Sequence, residues 1–376
     1  MEMNFNNRNF GFGLMRLPMQ GEGVDYDQVC QMIDYSLVHG FNYFDTAHGY
    51  LDGKSEIAAR ECLVKRHPRE SFLLTNKLSS GFFEKEEDIL PYFEEQCAAC
   101  GVEYFDYYLM HALNAKEYPK YQKCKAFEIA GRLKQEGRIR HMGISFHDKP
   151  EVLEQILTDH PEIEVVQIQF NYLDYEDAGI QSRNVYDVCR RFDKPVIIME
   201  PVKGGALVNL PEEAKQVFDD LHGGSYASYA IRFAASFEGV AMVLSGMSNF
   251  EQMEDNIGFM EQFTPLSEAE MNAVAKVTAI MKNQDMIGCT ACRYCEAGCP
   301  MHICIPDLFA CLNARRQFQD WNSDYYYTVH TGSGHGKAKD CITCRKCENI
   351  CPQHLPVSDL IKEVSAEFDT REEYKE

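Results

Sequence analysis

Eight short apolar segments alternate with longer helical patterns over the first ~250 residues, and this alternation limits the fold more than any other feature of the chain. The strand candidates are Gly11–Leu17, Phe41–Asp45, Phe72–Lys77, Phe105–His111, Ile139–Ser145, Glu164–Phe170, Pro195–Glu200 and Val240–Ser245. Helical spacing recurs between them, as in Tyr26–His39, Glu86–Cys100, Tyr121–Glu136, Glu151–Leu157 and Gly179–Arg191. Near-continuous apolar strands separated by helices are the pattern of a parallel sheet covered on both faces. A doubly wound open sheet usually opens on a glycine-rich turn. Gly11-Phe12-Gly13 does not complete one, so the expected fold is a (β/α)8 TIM barrel.

The rest of the chain differs in composition. Of 16 cysteines, six are scattered before residue 283 and ten fall between Cys289 and Cys351. The spacing predicts a barrel over 1–265, a helical linker over 266–282 and a smaller, mainly helical domain over 283–376. A net charge of −21 argues against nucleic acid and against an anionic membrane surface, both of which require clustered Lys and Arg. No run of about 18 apolar residues would span a bilayer. The Asn-rich start lacks a basic-then-apolar layout, so a cytoplasmic protein is expected. Structural disulfides are rare in that compartment, which points the clustered cysteines toward metal.

Two runs share one spacing: Cys289-x-x-Cys292-x-x-Cys295-x-x-x-Cys299-Pro300 and Cys341-x-x-Cys344-x-x-Cys347-x-x-x-Cys351-Pro352. This is the ligand run of bacterial two-cluster ferredoxins, in which the fourth cysteine of each run serves the other cluster. One [4Fe–4S] cluster would take Cys289, Cys292, Cys295 and Cys351, and the second Cys341, Cys344, Cys347 and Cys299. Zinc is the alternative, but a four-cysteine zinc site needs paired C-x-x-C motifs rather than two triple runs. Helices are expected over Ile305–Phe318 and Ser358–Phe368, with Tyr325–Tyr327 and Thr331–Gly336 as loop. Cys97-Ala98-Ala99-Cys100 ends a predicted helix and is read as packing rather than a redox pair.

In a (β/α)8 barrel the C-terminal strand ends form the active face. Three successive strands end on Asp45, Lys77 and His111, and Tyr50 follows Asp45 on its exit loop. Buried charges of this kind are expected to pair. A Lys ammonium beside a tyrosine would lower the phenol pKa, an Asp would hold the Lys, and a His could orient a carbonyl oxygen. His48 and His147 are expected near the same face.

Asp45-Thr46-Ala47-His48-Gly49-Tyr50, Lys77 and His111 together resemble the aldo-keto reductase superfamily. Gly11–Pro18, Gly143–Ser145, Val166–Asn171 and Ser245–Asn256 add weaker support. The resemblance implies a nicotinamide cofactor, NADH or NADPH, and a small-molecule carbonyl or alcohol substrate. It casts Tyr50 as proton donor, Lys77 and Asp45 as the groups that tune it, and His111 as the substrate-orienting group. It places Ser145 and Gln167 at the nicotinamide carboxamide, and Asp255 and Asn256 near the adenine. Gly246 and Ser248 belong to a loop whose backbone N–H groups would meet the pyrophosphate. Phe146 stands where the family has Asn, and Met199 where it has a stacking aromatic. The basic residues for a 2′-phosphate fall on uncharged Gly246 and Gln252, so NADH is expected to bind at least as well as NADPH.

The expected function is therefore a carbonyl/alcohol oxidoreductase with two clusters for electron transfer and a redox protein partner. Nicotinamide moves two electrons and each cluster one; a flavin usually bridges that mismatch, but no flavin signature is present. Two alternatives remain at this level: an electron-transfer protein whose barrel only binds a partner or substrate, and clusters that only staple the C-terminal domain. Two loaded clusters would add about −4 to the charge, so an acidic docking surface facing a basic partner patch is expected.

Overall fold

A computed structural model describes residues 9–177, 180–282, 286, 287, 289, 293–319, 322–332, 334–351 and 355–370. The chain divides into two compact units, changing over at Val274 and Ala275, with 209–220 grouped with the second.

The first unit is a closed parallel barrel. Its strands are β1 (Phe10–Gly13), β2 (Tyr43–Asp45), β3 (Leu73–Leu78), β4 (Phe105–Leu113), β5 (Ile139–Phe146), β6 (Val165–Gln169), β7 (Val196–Met199) and β8 (Val240–Gly246). They pair in sequence order, and β8 closes on β1 with Gly13 opposite Gly246. All eight expected strands are present. The first is shorter than expected because the chain turns into a 3-10 helix at Leu14–Arg16. Burial explains their composition: β3 and β6 are buried along nearly their whole length, on both faces, so neither alternates.

Tyr43, Tyr107, Leu109, Val165, Ile197, Met242 and Leu244 fill the barrel as one cluster. Gly143 lies where this packing leaves no room. A Cβ there would come within 2.5 Å of Val165 Cγ1 and 2.6 Å of the Val165 carbonyl oxygen. At the N-terminal strand ends, buried Asp106 accepts from Arg69 at 2.6 Å, Arg140 at 3.0 Å and the Leu74 N–H at 2.9 Å. That cluster secures the base of the barrel and leaves the opposite face for chemistry.

The second unit is helical. Ile305–Phe318, Asn322–Gly332 and Val357–Phe368 surround a core of Leu308, Phe309, Leu312, Tyr327, Ile361, Val364 and Phe368. The loop expected at Tyr325–Tyr327 is instead helix. Tyr327 is buried, stacks on Phe368 at 4.7 Å and donates from its hydroxyl to Asp369, and these contacts hold the tract in place. Cys97 and Cys100 are buried in Glu86–Cys100 as free thiols. Among the described residues no helix is long and apolar enough to cross a membrane.

Candidate active site and cluster loops

β2, β3 and β4 are neighbours, so their C-terminal ends bring three sequence-distant side chains together. Lys77 is fully buried. Its Nζ donates to Asp45 Oδ1 at 2.5 Å, to the Thr46 carbonyl at 2.9 Å and to the Tyr50 hydroxyl at 3.1 Å. All three ammonium protons are thus directed. The His111 ring meets the Tyr50 ring edge-on at 6.0 Å, and its Nδ1 shares a hydrogen bond with Ser79 Oγ at 2.6 Å. Gln167 donates to Asp45 Oδ2 at 3.3 Å.

Burial sets the protonation pattern. It raises Asp45, with Lys77 opposing. It pulls Lys77 down, but Asp45 and then Tyr50 more than restore it, leaving its pKa raised. Tyr50 is raised as well, because burial of a phenolate outweighs the neighbouring Lys77. Here the geometry corrects the expected lowering: Lys77 limits the rise without reversing it, and Tyr50 keeps its proton through the neutral range. Burial, followed by Lys77 and His147, holds His111 well below the usual imidazole range. His147 is pulled down to about 4 by burial and Lys77. Both imidazoles are neutral at pH 7.

Behind the site lies a buried polar network that sequence reasoning missed. Asn76 Oδ1 accepts from the Lys77 N–H at 2.8 Å and from Gln96 at 3.1 Å, and Asn76 Nδ2 donates to Glu56 at 2.8 Å. Gln96 also donates to the Lys77 carbonyl at 2.9 Å, and Tyr108 donates to Gln96 at 2.6 Å. Glu56 pairs with His48 Nδ1 at 2.8 Å. Lys77 is therefore gripped through its own backbone. One signal was readable: an Asn inside the buried strand Leu-Leu-Thr-Asn-Lys-Leu must find partners.

The residues assigned to a nicotinamide divide into two groups. Ser145 Oγ is buried at the C-terminal end of β5 and has no hydrogen-bond partner among the described residues, which fits a site awaiting a polar group. The Ser245–Asn256 end is already engaged. The Ser248 N–H donates to Gln252 Oε1 at 2.8 Å, the Phe250 N–H to Gln28 and the Gln252 N–H to Asn249. Asn256 donates to Ser245 Oγ, and Asp255 accepts from Ser225. Gly246 is packed against Arg16, whose Cβ lies 3.3 Å from where a Gly246 Cβ would be, and Ser248 Oγ donates to the Arg16 carbonyl at 3.0 Å. The aliphatic stem of Arg16, from the turn after β1, thus lies against this loop. A second missed group is buried Lys203, after β7, which pairs with Asp174 at 2.7 Å.

In the helical unit, Cys299 of the first run lines one pocket with Cys341, Cys344 and Cys347 of the second. Cys289, Cys295 and Cys351 pack against the same core, while Cys292 lies outside the described residues. The described cysteines are free thiols. Among the described residues no three His, Cys, Asp or Glu side chains converge tightly enough for a single ion. The thiols ring a pocket instead, a donor set that fits an iron–sulfur cube. Arg293 and Arg345 occupy equivalent places in the two runs, and both adopt the left-handed backbone, at φ 62° and 56°.

The aldo/keto reductase family profile matches residues 9–279, and a 4Fe-4S dicluster domain profile matches 288–355. An NADH-specific methylglyoxal reductase of Escherichia coli is 25% identical over 185 residues, covering 45% of this chain and 54% of that protein. The chain thus aligns with about half the length of that relative. An aldo-keto reductase from Bacillus halodurans, solved in its holo form, superposes with a TM-score of 0.59 at 25% identity, covering 72% of this chain and 91% of that one. A Klebsiella pneumoniae aldo-keto reductase in complex with NADPH shares the fold at 18% identity, with a TM-score of 0.59 and coverage of 72% and 90%. The chain belongs to the aldo/keto reductase family and carries a 4Fe-4S dicluster domain after its barrel.

Proposed function

We propose that the protein interconverts a small-molecule carbonyl and its alcohol with a nicotinamide, and that its cluster domain exchanges single electrons with a redox protein partner. The observation that carries this reading is Lys77 Nζ bonded at once to Asp45 and to the Tyr50 hydroxyl. When bound, the nicotinamide supplies a hydride to the carbonyl carbon. Tyr50 passes its proton to the carbonyl oxygen as charge grows there. Lys77, 3.1 Å away, stabilises the phenolate left behind, and Asp45 holds Lys77 charged. His111, neutral, orients the carbonyl oxygen beside Tyr50. Ser145 and Gln167 hold the carboxamide. Asn256, Asp255, Gly246 and Ser248 border the adenosine end, where Gln252 must swing off the Ser248 N–H before a phosphate can use it.

Cys289, Cys292, Cys295 and Cys351 ligate one cluster, and Cys341, Cys344, Cys347 and Cys299 the other. The working division is 1–265 for the barrel, 266–282 for the linker and 283–376 for the cluster domain. A reducing cytoplasm suits free thiols and clusters together, and the charge of −21 favours protein and small-molecule partners over nucleic acid.

The test is anaerobic purification, followed by NADH or NADPH and a small aldehyde such as methylglyoxal. Turnover that disappears in Tyr50→Phe, with bleaching of the cluster absorbance, supports the full reading. Turnover without bleaching reduces the clusters to staples, and neither signal leaves only a binding barrel. A titration in which NADPH binds much more tightly than NADH would overturn the expected cofactor preference and point to Arg16.

A further inference from the structure

The second cysteine loop differs in charge from the rest of the chain. Between Lys337 and Cys347 stand Lys337, Lys339, Arg345 and Lys346 against a single acid, Asp340, in a protein of net charge −21. All four cations are exposed. Asp340 is turned inward to cap its own turn, accepting from the Lys337 N–H at 2.8 Å. At the mouth of the Cys299–Cys341–Cys344–Cys347 pocket, Ile342 is 60% exposed and Cys344 is exposed too. An apolar tip and a cluster ligand thus sit at the surface beside Arg345 and Lys346, with exposed Lys337 and Lys339 just before them in the chain.

The first loop shows that this is not a requirement of the motif. The chain is a repeat here: Cys-Pro-x-His-x-x-x-x-Asp-Leu follows both runs, at Cys299–Leu308 and Cys351–Leu360. In the first copy Arg293 is neutralised internally, by Asp307 at 2.5 and 2.9 Å and by Glu296 at 2.6 Å. In the second copy the equivalent Asp359 is taken by Lys362 at 2.8 Å. Arg345 makes a loose pair with Glu348 at 3.9 Å, feels Asp359 at longer range, and its side chain stays 62% exposed. The arginine charge is therefore closed in one run and open in the other.

We propose that the second loop docks an acidic one-electron carrier protein of the ferredoxin or flavodoxin type; this rests on the reading that the four thiols of the pocket hold a cluster. The sign is opposite to the acidic docking surface expected from net charge alone. A local excess of positive charge on a protein of net charge −21 favours the approach of an acidic partner to this loop. One electron would pass from the reduced carrier to the oxidised cluster that Cys299, Cys341, Cys344 and Cys347 would hold; no bond forms and no proton need move.

The probe is a plant-type acidic ferredoxin. Its oxidised form is titrated calorimetrically, and its reduced form is mixed with the oxidised protein in stopped flow, with methyl viologen radical as a small reductant that needs no docking. Expected are binding and a rate that fall with salt, by at least about tenfold between 0.01 M and 0.1 M ionic strength, where the Debye length shortens from about 30 to about 10 Å. In Lys337→Glu/Lys339→Glu both fall at least about tenfold at low salt, while cluster absorbance, bound iron, carbonyl turnover and the viologen rate are kept. Arg345→Glu, checked for full iron content, should act in the same direction. Equal binding in wild type and the Lys337/Lys339 variant overturns the proposal, as does a rate that rises with salt. A salt-sensitive dimer that excludes ferredoxin also overturns it, assigning the face to a second copy. Absence of iron from the wild type would sink the cluster reading instead, so the two failures are separable.

Discussion

Lys77 carries a charge where an isolated one would be costly, and its value lies in what it touches. In Lys77→Met, Asp45 remains buried without its cation. The barrel should lose about 3–5 kcal/mol in denaturant unfolding, and turnover should fall about 10²–10⁴-fold. A variant of wild-type stability and activity would contradict both roles. Because burial raises the Tyr50 pKa, the protonated acid persists as pH rises. Carbonyl reduction should therefore stay flat through neutrality and fall only above the ordinary tyrosine range of about 10, read from the pH profile of the single-turnover rate. His147 works in the opposite direction. Folded, it takes a proton only near pH 4, whereas unfolded it does so near 6.5. Unfolding thus takes up a proton between those values, and stability should decline as pH falls from about 6.5 to 4. His147→Asn should flatten that part of the decline, measured as urea midpoint against pH. That Asp45, Tyr50, Lys77 and His111 come together was legible because three of them end neighbouring strands on one face. Glu56, Asn76 and Gln96 were not, because their partners are far along the chain and meet only once the strands pair.

The barrel's strands and the helices between them were legible from their periodicity, but the helix through Tyr325–Tyr327 was not. A buried parallel strand announces itself as an apolar run, whereas the Tyr325–Tyr327 helix depends on one ring stacking on Phe368 from another helix. Packing between elements also sets what a position tolerates. In Gly143→Ala the new methyl would meet Val165 from β6, including its backbone oxygen, and Leu109 Cδ2 from β4 at 2.7 Å. Neither strand can yield without disturbing the strand ends that carry His111 and Ser145. A loss of about 1–3 kcal/mol or more is expected, measured by urea unfolding of the barrel; an unchanged midpoint would show that β5 moves freely. The Ser245–Asn256 loop gives the converse lesson. Its N–H groups looked open in sequence, but the side chains that occupy them are Gln28, Asn249 and Gln252.

Across the whole molecule, the barrel and the cluster domain draw their stability from different sources. The barrel has its own interior of tyrosines and aliphatic residues. The helical unit packs its core directly against the thiols of the cysteine runs. Chelating iron should therefore melt the helical unit while the barrel keeps its thermal transition, followed by cluster absorbance and far-ultraviolet circular dichroism together. Simultaneous loss of both would mean that the two fold as one. The pairing of Cys299 with the second run has a topological consequence as well. A cube held from both sides would close the chain between Cys299 and Cys341 into a ring, as a disulfide does, and remove about 4 kcal/mol of unfolded-chain entropy. A protease cut inside that ring should leave one particle while iron is bound and two fragments once it is stripped.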